Sequence, residues 1–299
     1  MHSVACRRHC RTMPPVTYSR LLENGWTRHA ISSAIAAGSL RRLSRGWYDL
    51  GGCTADELTA AAVGGRVGCL TGLRDHGVWV PPTTHPHLIV ARWSGAARTG
   101  AQHELPRDGA WPRHAMTYDV VECLRQVLRH HDVETGLIVS ESACQLGIVS
   151  EQTIATLISE CPPRRAAQYA RFDPRSESGT ETRVRLHLQR AGYRVRPQAS
   201  IAGVGRVDLL VGESLVIECD SRAHHTGEEH YRSDRARDLR AVALGYQVVR
   251  LTWEQVFLDW PGTCELLAAL LSTRRYRRRP LGNSAFSGTY VRADHISHR

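Results

Sequence analysis

The chain has 299 residues, a hydrophobic content of 42% and a formal net charge of +10. This composition is ordinary for a globular protein, and no apolar run reaches the roughly 18 residues that a membrane span needs. The sequence therefore excludes a helical membrane protein. Residues 1–13 are rich in Arg and His, lack the apolar core of a secretory signal, and are predicted to be a disordered tail.

All 39 basic residues are Arg. A coding bias explains the choice of Arg over Lys, but it does not explain the excess of cations over the 29 acidic residues. That excess is compatible with phosphate binding, for which the planar guanidinium is well suited. The nine cysteines are scattered and form no Cys-x-x-Cys motif. We therefore expect a reducing, cytoplasmic location rather than a disulfide framework.

Residues 14–53 have the pattern of a winged helix-turn-helix. A short helix is predicted over 16–24 and a second, capped by Thr27, over 28–37. Residues 40–50 then alternate in polarity and turn at a glycine, which indicates a basic β-hairpin. Two helices followed by such a hairpin are typical of a winged helix that grips DNA. The predicted DNA contacts are Arg41, Arg42 and Arg45.

Residues 54–175 are predicted to be mostly helical, and no constellation of chemically reactive side chains is recognised in them. We interpret this region as a connecting domain. Residues 176–272 instead follow the order helix, three strands, helix, strand, which indicates an α/β core. The basic residues 273–299 are predicted to be a disordered tail. The whole chain is thus assigned to the α/β class, with mixed α+β character.

Two apolar strands in the third region, 205–211 and 215–220, are separated by a short polar turn. If residues 212–214 form a hairpin loop, Val211 pairs with Leu215 and the rest of the register follows.

This register gathers acidic residues at one end of the hairpin. It places Asp208 directly opposite Glu218, and Asp220 lies two residues further along the same face. Like charges that face each other in a sheet repel, and carboxylates on apolar strands are costly to bury. A hard divalent cation such as Mg²⁺, or Mn²⁺ in its place, would relieve both problems. The alternative is a structural ion pair with Arg206 or Arg250.

The third region resembles the endonuclease-like domains related to very-short-patch repair endonucleases, within the PD-(D/E)xK nuclease superfamily. The resemblance implies that Asp208 and Glu218 hold Mg²⁺ and that a Lys two positions later helps to activate water. The matching segments are 178–181, 206–208, 216–220, 234–237 and 245–250, together with His224.

This chain departs from that pattern, because Asp220 stands at the Lys position and the chain contains no Lys. Arg is no substitute as a base, since it stays protonated. His224 or His225 is the better candidate, because a His pKa lies near working pH. The resemblance also implies a His in this role. Asp220 would then act as a third ligand or orient the water.

Glu181 has two interpretations, which one residue can satisfy together. With Ser178 it fits a capping box, in which the Glu reaches back to the start of the helix. It also shares a helix face with Val184 and Leu188, which directs it toward the core and the site. Arg235 and Arg237, on the helix predicted over 228–244, fit either a phosphate track or an ordinary solvated face.

The first region resembles, more weakly, the N-terminal winged helix of abortive-infection type IV antitoxins, the AbiEi family. The matching segments are 28–31, 38–43 and 45–48.

The main hypothesis is a cytoplasmic, Mg²⁺-dependent DNA endonuclease positioned by a winged helix. The alternative is a non-catalytic DNA-binding regulator, such as an antitoxin, with a degenerate nuclease fold. RNA as substrate, a cognate toxin and self-association remain open, and no membrane partner is expected.

Overall fold

A computed structural model of the chain describes residues 14–91, 101–104, 109–220 and 228–281. The chain divides into two units, Met1–Ala170 and Arg171–Arg299. Helices and sheets are mixed in both, which agrees with the expected α/β class. Within these described ranges, no helix has the length and apolar character needed to cross a membrane.

The first unit begins with two helices and a small sheet of strand order β1-β3-β2. The Thr27 hydroxyl accepts a hydrogen bond from the Ala30 N–H at 3.1 Å, so the predicted cap of the second helix is confirmed. Gly46, with a φ of 80°, turns the hairpin. Its elements are β1 (Val16–Thr17), α1 (Tyr18–Glu23), α2 (Arg28–Ala36), β2 (Arg41–Ser44) and β3 (Trp47–Asp49).

The remainder of the first unit surrounds a second three-stranded sheet, of order β4-β5-β6. Strand β5 is buried along its whole length, antiparallel to β4 and parallel to β6. The elements are α3 (Ala55–Ala62), β4 (Arg66–Val67), α4 (Cys69–Asp75), β5 (His87–Val90), β6 (Ala101–Glu104), α5 (Val120–His130), α6 (Val133–Gln145), α7 (Glu151–Ser159) and α8 (Pro163–Ala166), followed by a 3₁₀ turn (Ala167–Arg171).

The second unit contains a four-stranded sheet of order β10-β9-β8-β7. Its pairs are antiparallel except β9 and β10, which run parallel because α10 connects them. The elements are α9 (Gly179–Arg190), β7 (Val195–Ile201), β8 (Gly205–Val211), β9 (Leu215–Asp220), α10 (Glu228–Ala243), β10 (Gln247–Thr252), α11 (Trp253–Phe257), α12 (Trp260–Ser272) and a 3₁₀ turn (Arg275–Arg277).

Both faces of this sheet are buried, each in its own apolar core. Leu209 and Ile217 point to the face covered by α9, α11 and α12, whereas Leu210 and Val216 point to the face covered by α10. A register slip of one residue would exchange the two sets of side chains. Apolar packing on both sides therefore holds the register of β8 and β9.

That register is the one predicted, with Val211 paired with Leu215 across the loop at 212–214. Gly212 has a φ of 60°. The backbone carbonyl of Tyr276 accepts hydrogen bonds from the N–H groups of Glu213 at 2.8 Å and Ser214 at 3.2 Å. Part of the basic C-terminal segment thus holds the turn that aligns the two strands.

Replacing Gly212 with Ala is expected to destabilise the second unit by about 2 to 4 kcal/mol. A Cβ there would lie 2.6 Å from Tyr276 Cδ2 and 2.7 Å from its carbonyl oxygen, in addition to the cost of a left-handed residue. The control is Gly192→Ala, because Gly192 is also left-handed, at a φ of 84°, but has nothing within 4 Å of such a Cβ. Urea unfolding measures the free energy of unfolding of both variants. If the two variants lose the same stability, Tyr276 does not hold the turn.

Candidate active site

Asp208 and Glu218 lie side by side where the paired part of β8 and β9 ends. The Asp208 N–H donates to Glu218 Oε2 at 3.3 Å, and the Cys219 N–H donates to Asp208 Oδ2 at 2.7 Å. Side chains thus accept the backbone hydrogen bonds that would otherwise continue the ladder beyond Leu209 and Ile217. The structure brings together the two acidic residues that the register placed opposite each other.

Glu181 combines the two roles considered for it. Its N–H donates to the Ser178 hydroxyl at 3.1 Å, so it belongs to the first turn of α9. Its carboxylate accepts a hydrogen bond from the Glu177 N–H at 3.1 Å and another from Gln198 Nε2 at 2.8 Å. Because Gln198 Nε2 also reaches Asp208 Oδ1 at 3.5 Å, one amide links Glu181 to the Asp208–Glu218 pair.

Gln198 is a site residue that the sequence did not indicate. It lies in β7 with a φ of 50°, a backbone conformation that is uncommon for a residue with a Cβ. A lone Gln in a strand has no motif around it, so its contact with two carboxylates is visible only in the fold.

Asp220 is held differently from the other acids. It is exposed at the end of β9, and its Oδ1 accepts a hydrogen bond from Arg250 at 3.0 Å. Arg250 also makes two hydrogen bonds to Asp238, at 3.0 and 2.9 Å. Of the ion-pair partners considered for Asp208 and Glu218, Arg250 is thus paired with Asp220 and Asp238, and Arg206 is paired with Glu177. The guanidinium that does pair with Glu218 is that of Arg237.

The remaining predicted residues are placed as follows. Arg237 contacts Glu218 Oε1 at 3.4 Å, and Arg235 is exposed on α10. His224 and His225 lie outside the described residues. In the first unit, the hairpin arginines are all exposed, and the Arg41 guanidinium contacts the buried Asp49 at 2.8 Å. These arginines are Arg41, Arg42 and Arg45.

The electrostatics of the site favour a cation. Glu181 and Glu218 are only 3% and 5% exposed. Burial, together with the charge of Asp208, raises the pKa of each to about 7. Arg237 is the positive group that opposes this effect at Glu218. Because the donors are carboxylate oxygens in a buried negative environment, this residue set fits a hard divalent ion.

The family model REase_MTES_1575, which describes a restriction endonuclease-like domain, matches residues 181–271. No curated protein matches the chain. The second unit thus contains a restriction endonuclease-like domain, which confirms the coarser part of the expected resemblance. Domains of this class typically depend on a divalent metal. All four predicted acidic residues fall within the match: Glu181, Asp208, Glu218 and Asp220.

A second group of potential ligands lies in the first unit, in the region interpreted as a connecting domain without reactive side chains. The sequence analysis recognised no such group there, so that part of the expectation is corrected, whereas the role of a connecting domain stays a prediction. One sulfur and three imidazole nitrogens lie within 4.8 Å of one another there. The four residues are widely and unequally spaced in the sequence, so no ligand motif points to them. They are Cys69, His87, His103 and His131, called the Cys–His₃ cluster below.

The stability of the second unit is expected to fall between about pH 5 and pH 8 in the absence of divalent metal. Folding raises the pKa of Glu181 from 4.5 to about 7, so the folded protein holds a proton more tightly than the unfolded chain does. This difference contributes fully to the free energy of unfolding below pH 4.5. That contribution, on the order of 3 kcal/mol, is lost as pH rises through the folded value.

Urea unfolding across this pH range tests the effect. Glu181→Gln should reduce the difference between low and high pH, because the amide stays neutral while Glu218 keeps its own contribution. The control Glu213→Gln, at an exposed position on the hairpin turn, should retain the wild-type profile. A wild-type profile no steeper than that of Glu181→Gln would contradict the expectation.

Proposed function

We propose that this protein is a DNA endonuclease that uses Mg²⁺ or Mn²⁺ to hydrolyse phosphodiester bonds, within the very-short-patch-repair-like group. The observation that carries the proposal is the contact between Asp208 and the buried Glu218 within a restriction endonuclease-like domain. A structural role alone is a poor explanation for this pair, because replacing buried charges with apolar residues is often neutral or stabilising.

Asp208 and Glu218 would hold the ion. When bound, the ion supplies a water of lowered pKa and stabilises the charge that develops on the phosphate. Glu181 and Gln198 would keep the Asp208 carboxylate in place through the amide that bridges them. Asp220 would serve as a third ligand or orient the water, and Arg250 would set its position.

The reaction is the attack of water oxygen on phosphorus, with cleavage of the bond to the leaving ester oxygen. His224 is the residue proposed to accept the water proton, since the chain has no Lys and its arginines stay protonated. Arg237, beside Glu218, and Arg235, exposed on the same helix, are proposed to contact the phosphate backbone.

The first unit is proposed to position the duplex as a winged helix of the AbiEi type. Its hairpin presents exposed arginines, as phosphate contacts require. Trp47 and Tyr48 are buried beneath it, so they stabilise the hairpin and are not available for stacking on bases. The buried Asp49 anchors Arg41, and Arg42 and Arg45 are exposed beside it on the hairpin.

The second candidate is a DNA-binding regulator whose nuclease domain is inactive. It is favoured by one observation: the position where the resemblance expects a Lys holds Asp220, paired with Arg250. The two candidates share DNA binding and differ in cleavage, so one experiment separates them.

Plasmid DNA incubated with the wild-type protein and Mg²⁺ or Mn²⁺ is expected to be nicked or linearised. Asp208→Asn and Glu218→Gln should each slow cleavage by at least about 100-fold, since each removes an oxygen charge from the ion's site. Glu213→Gln should cleave at the wild-type rate. If the wild type binds DNA but cleaves neither DNA nor RNA with either metal, the regulator is the correct assignment.

Replacing Arg41, Arg42 and Arg45 together with Ala is expected to weaken DNA binding. The slope of the logarithm of the binding constant against the logarithm of the salt concentration should become shallower by about 2 to 3. Each lost phosphate contact reduces the magnitude of this slope by about 0.9. Fluorescence anisotropy over a salt series measures this slope. Arg164→Ala is the matched control, because Arg164 is an exposed Arg of the same unit outside the hairpin. An unchanged slope in the triple variant would remove the hairpin from the interface.

A further inference from the structure

The Cys–His₃ cluster is assembled from four separate elements of the first unit. Cys69 is the first residue of α4, and His131 directly follows α5. His87 begins β5, and His103 lies in the neighbouring β6. Each side chain therefore belongs to a different element, and the cluster exists only because these elements pack together.

The donor atoms of the cluster face one another at short range. Cys69 Sγ lies 2.8 Å from His131 Nε2, and His103 Nε2 lies 3.5 Å from His87 Nδ1. In a tetrahedral zinc site, bond lengths place neighbouring ligand atoms about 3.3 to 3.6 Å apart. The His87–His103 separation thus fits that geometry, the Cys69–His131 separation is shorter, and all four donor atoms lie within 4.8 Å of one another, which is close enough for one small cation to draw them together.

The three imidazole rings are also grouped around a common centre. The ring centroids of His87 and His131 are 5.0 Å apart, those of His103 and His131 are 5.4 Å apart, and those of His87 and His103 are 5.7 Å apart. Neutral imidazoles each offer one lone pair, so three imidazoles beside one cysteine sulfur are a donor set for a metal ion.

The backbone around two of the ligands is held in place by buried hydrogen bonds. Cys69 has a φ of 52°, and its N–H donates to Gln126 Oε1 at 2.8 Å. Gly68 makes room for this contact, since a Cβ there would lie 2.7 Å from that oxygen. The His87 N–H donates to the Thr71 hydroxyl at 2.7 Å. The ligand positions are therefore set by surrounding structure, as a preorganised site requires.

The other two ligands have supports of their own. The Arg165 guanidinium donates to the backbone carbonyl of His131, which fixes the chain at the end of α5. The His103 ring stacks on that of His130, with centroids 5.9 Å apart. His130 is not a member of the cluster, so it supports the His103 ring without competing for an ion.

We propose that the Cys–His₃ cluster is a structural zinc site. One thiolate and three imidazoles suit Zn²⁺, whereas Mg²⁺ and Ca²⁺ prefer oxygen ligands. Four protein donors complete a tetrahedron and leave no open position for a substrate, which is the arrangement of structural rather than catalytic zinc. Binding releases the Cys69 proton and joins the ends of α4 and α5 to the β5–β6 pair.

This inference does not depend on the proposed nuclease activity. The zinc site has nitrogen and sulfur donors in the first unit, and the proposed Mg²⁺ site has oxygen donors in the second. Asp208→Asn, which should abolish cleavage, is expected to leave the zinc content unchanged, so the two proposals can fail separately.

The metal content of the untagged, full-length protein tests the proposal. Mass spectrometry of the purified wild type should find about one zinc ion per chain. Cys69→Ser and His103→Ala should each bind zinc at least about 10-fold more weakly. The matched controls are Cys161→Ser, at a buried free cysteine outside the cluster, and His29→Ala, at an exposed histidine of the same unit outside the cluster; both should keep the ion.

A second measurement uses the wild type alone, so it stands even where a variant fails to fold. Cobalt exchanged for zinc should give the visible absorption of a tetrahedral site and a thiolate-to-cobalt charge-transfer band. Chelation should then increase alkylation of Cys69, but not of Cys161, as located by peptide mass spectrometry. A wild type that holds neither metal, or Cys69→Ser and His103→Ala variants that retain zinc at the wild-type level, would overturn the proposal.

Discussion

The burial of Glu218 against Asp208 is the constraint on which the candidate active site depends. Apolar packing on both faces of the sheet fixes the register that holds the two carboxylates together. The arrangement is unfavourable for the apo protein near neutral pH, because burial and the charge of Asp208 raise the pKa of Glu218 to about 7. Apolar residues there would often leave the sheet equally or more stable, which supports the proposal that the pair binds an ion.

The arginine-rich composition has several uses, of which DNA binding is one proposal. Arg185 is fully buried and donates to the Arg171 carbonyl at 3.0 Å and to Gln189 Oε1 at 3.2 Å. Arg250 bridges Asp238 and Asp220, and Arg237 contacts Glu218. The high arginine content is therefore a weak guide to a nucleic-acid interface, because some arginines neutralise acids and others organise the core.

The two candidate metal sites have different donor chemistry, and different roles are proposed for them. The carboxylates of the second unit are hard oxygen donors, and the cluster of the first unit offers sulfur and nitrogen. A hard ion held by few protein ligands keeps waters that can take part in a reaction, whereas a closed four-ligand site contributes folding energy. The identity of the metal would thus distinguish the two sites: a hard ion is expected where catalysis is proposed, and zinc where a structural role is proposed.

Local patterns in the sequence determined most of the elements and the central hairpin. The bounds of β8 and β9, the Thr27 cap and the Val211–Leu215 pairing follow from turn residues and alternation over a few positions, so they were predicted correctly. Tertiary structure alone decided the contact of Gln198 with two carboxylates, the pairing of Asp220 with Arg250, and the Cys–His₃ cluster. These contacts join residues far apart in the chain, and only the packing of whole elements brings such residues within reach of one another.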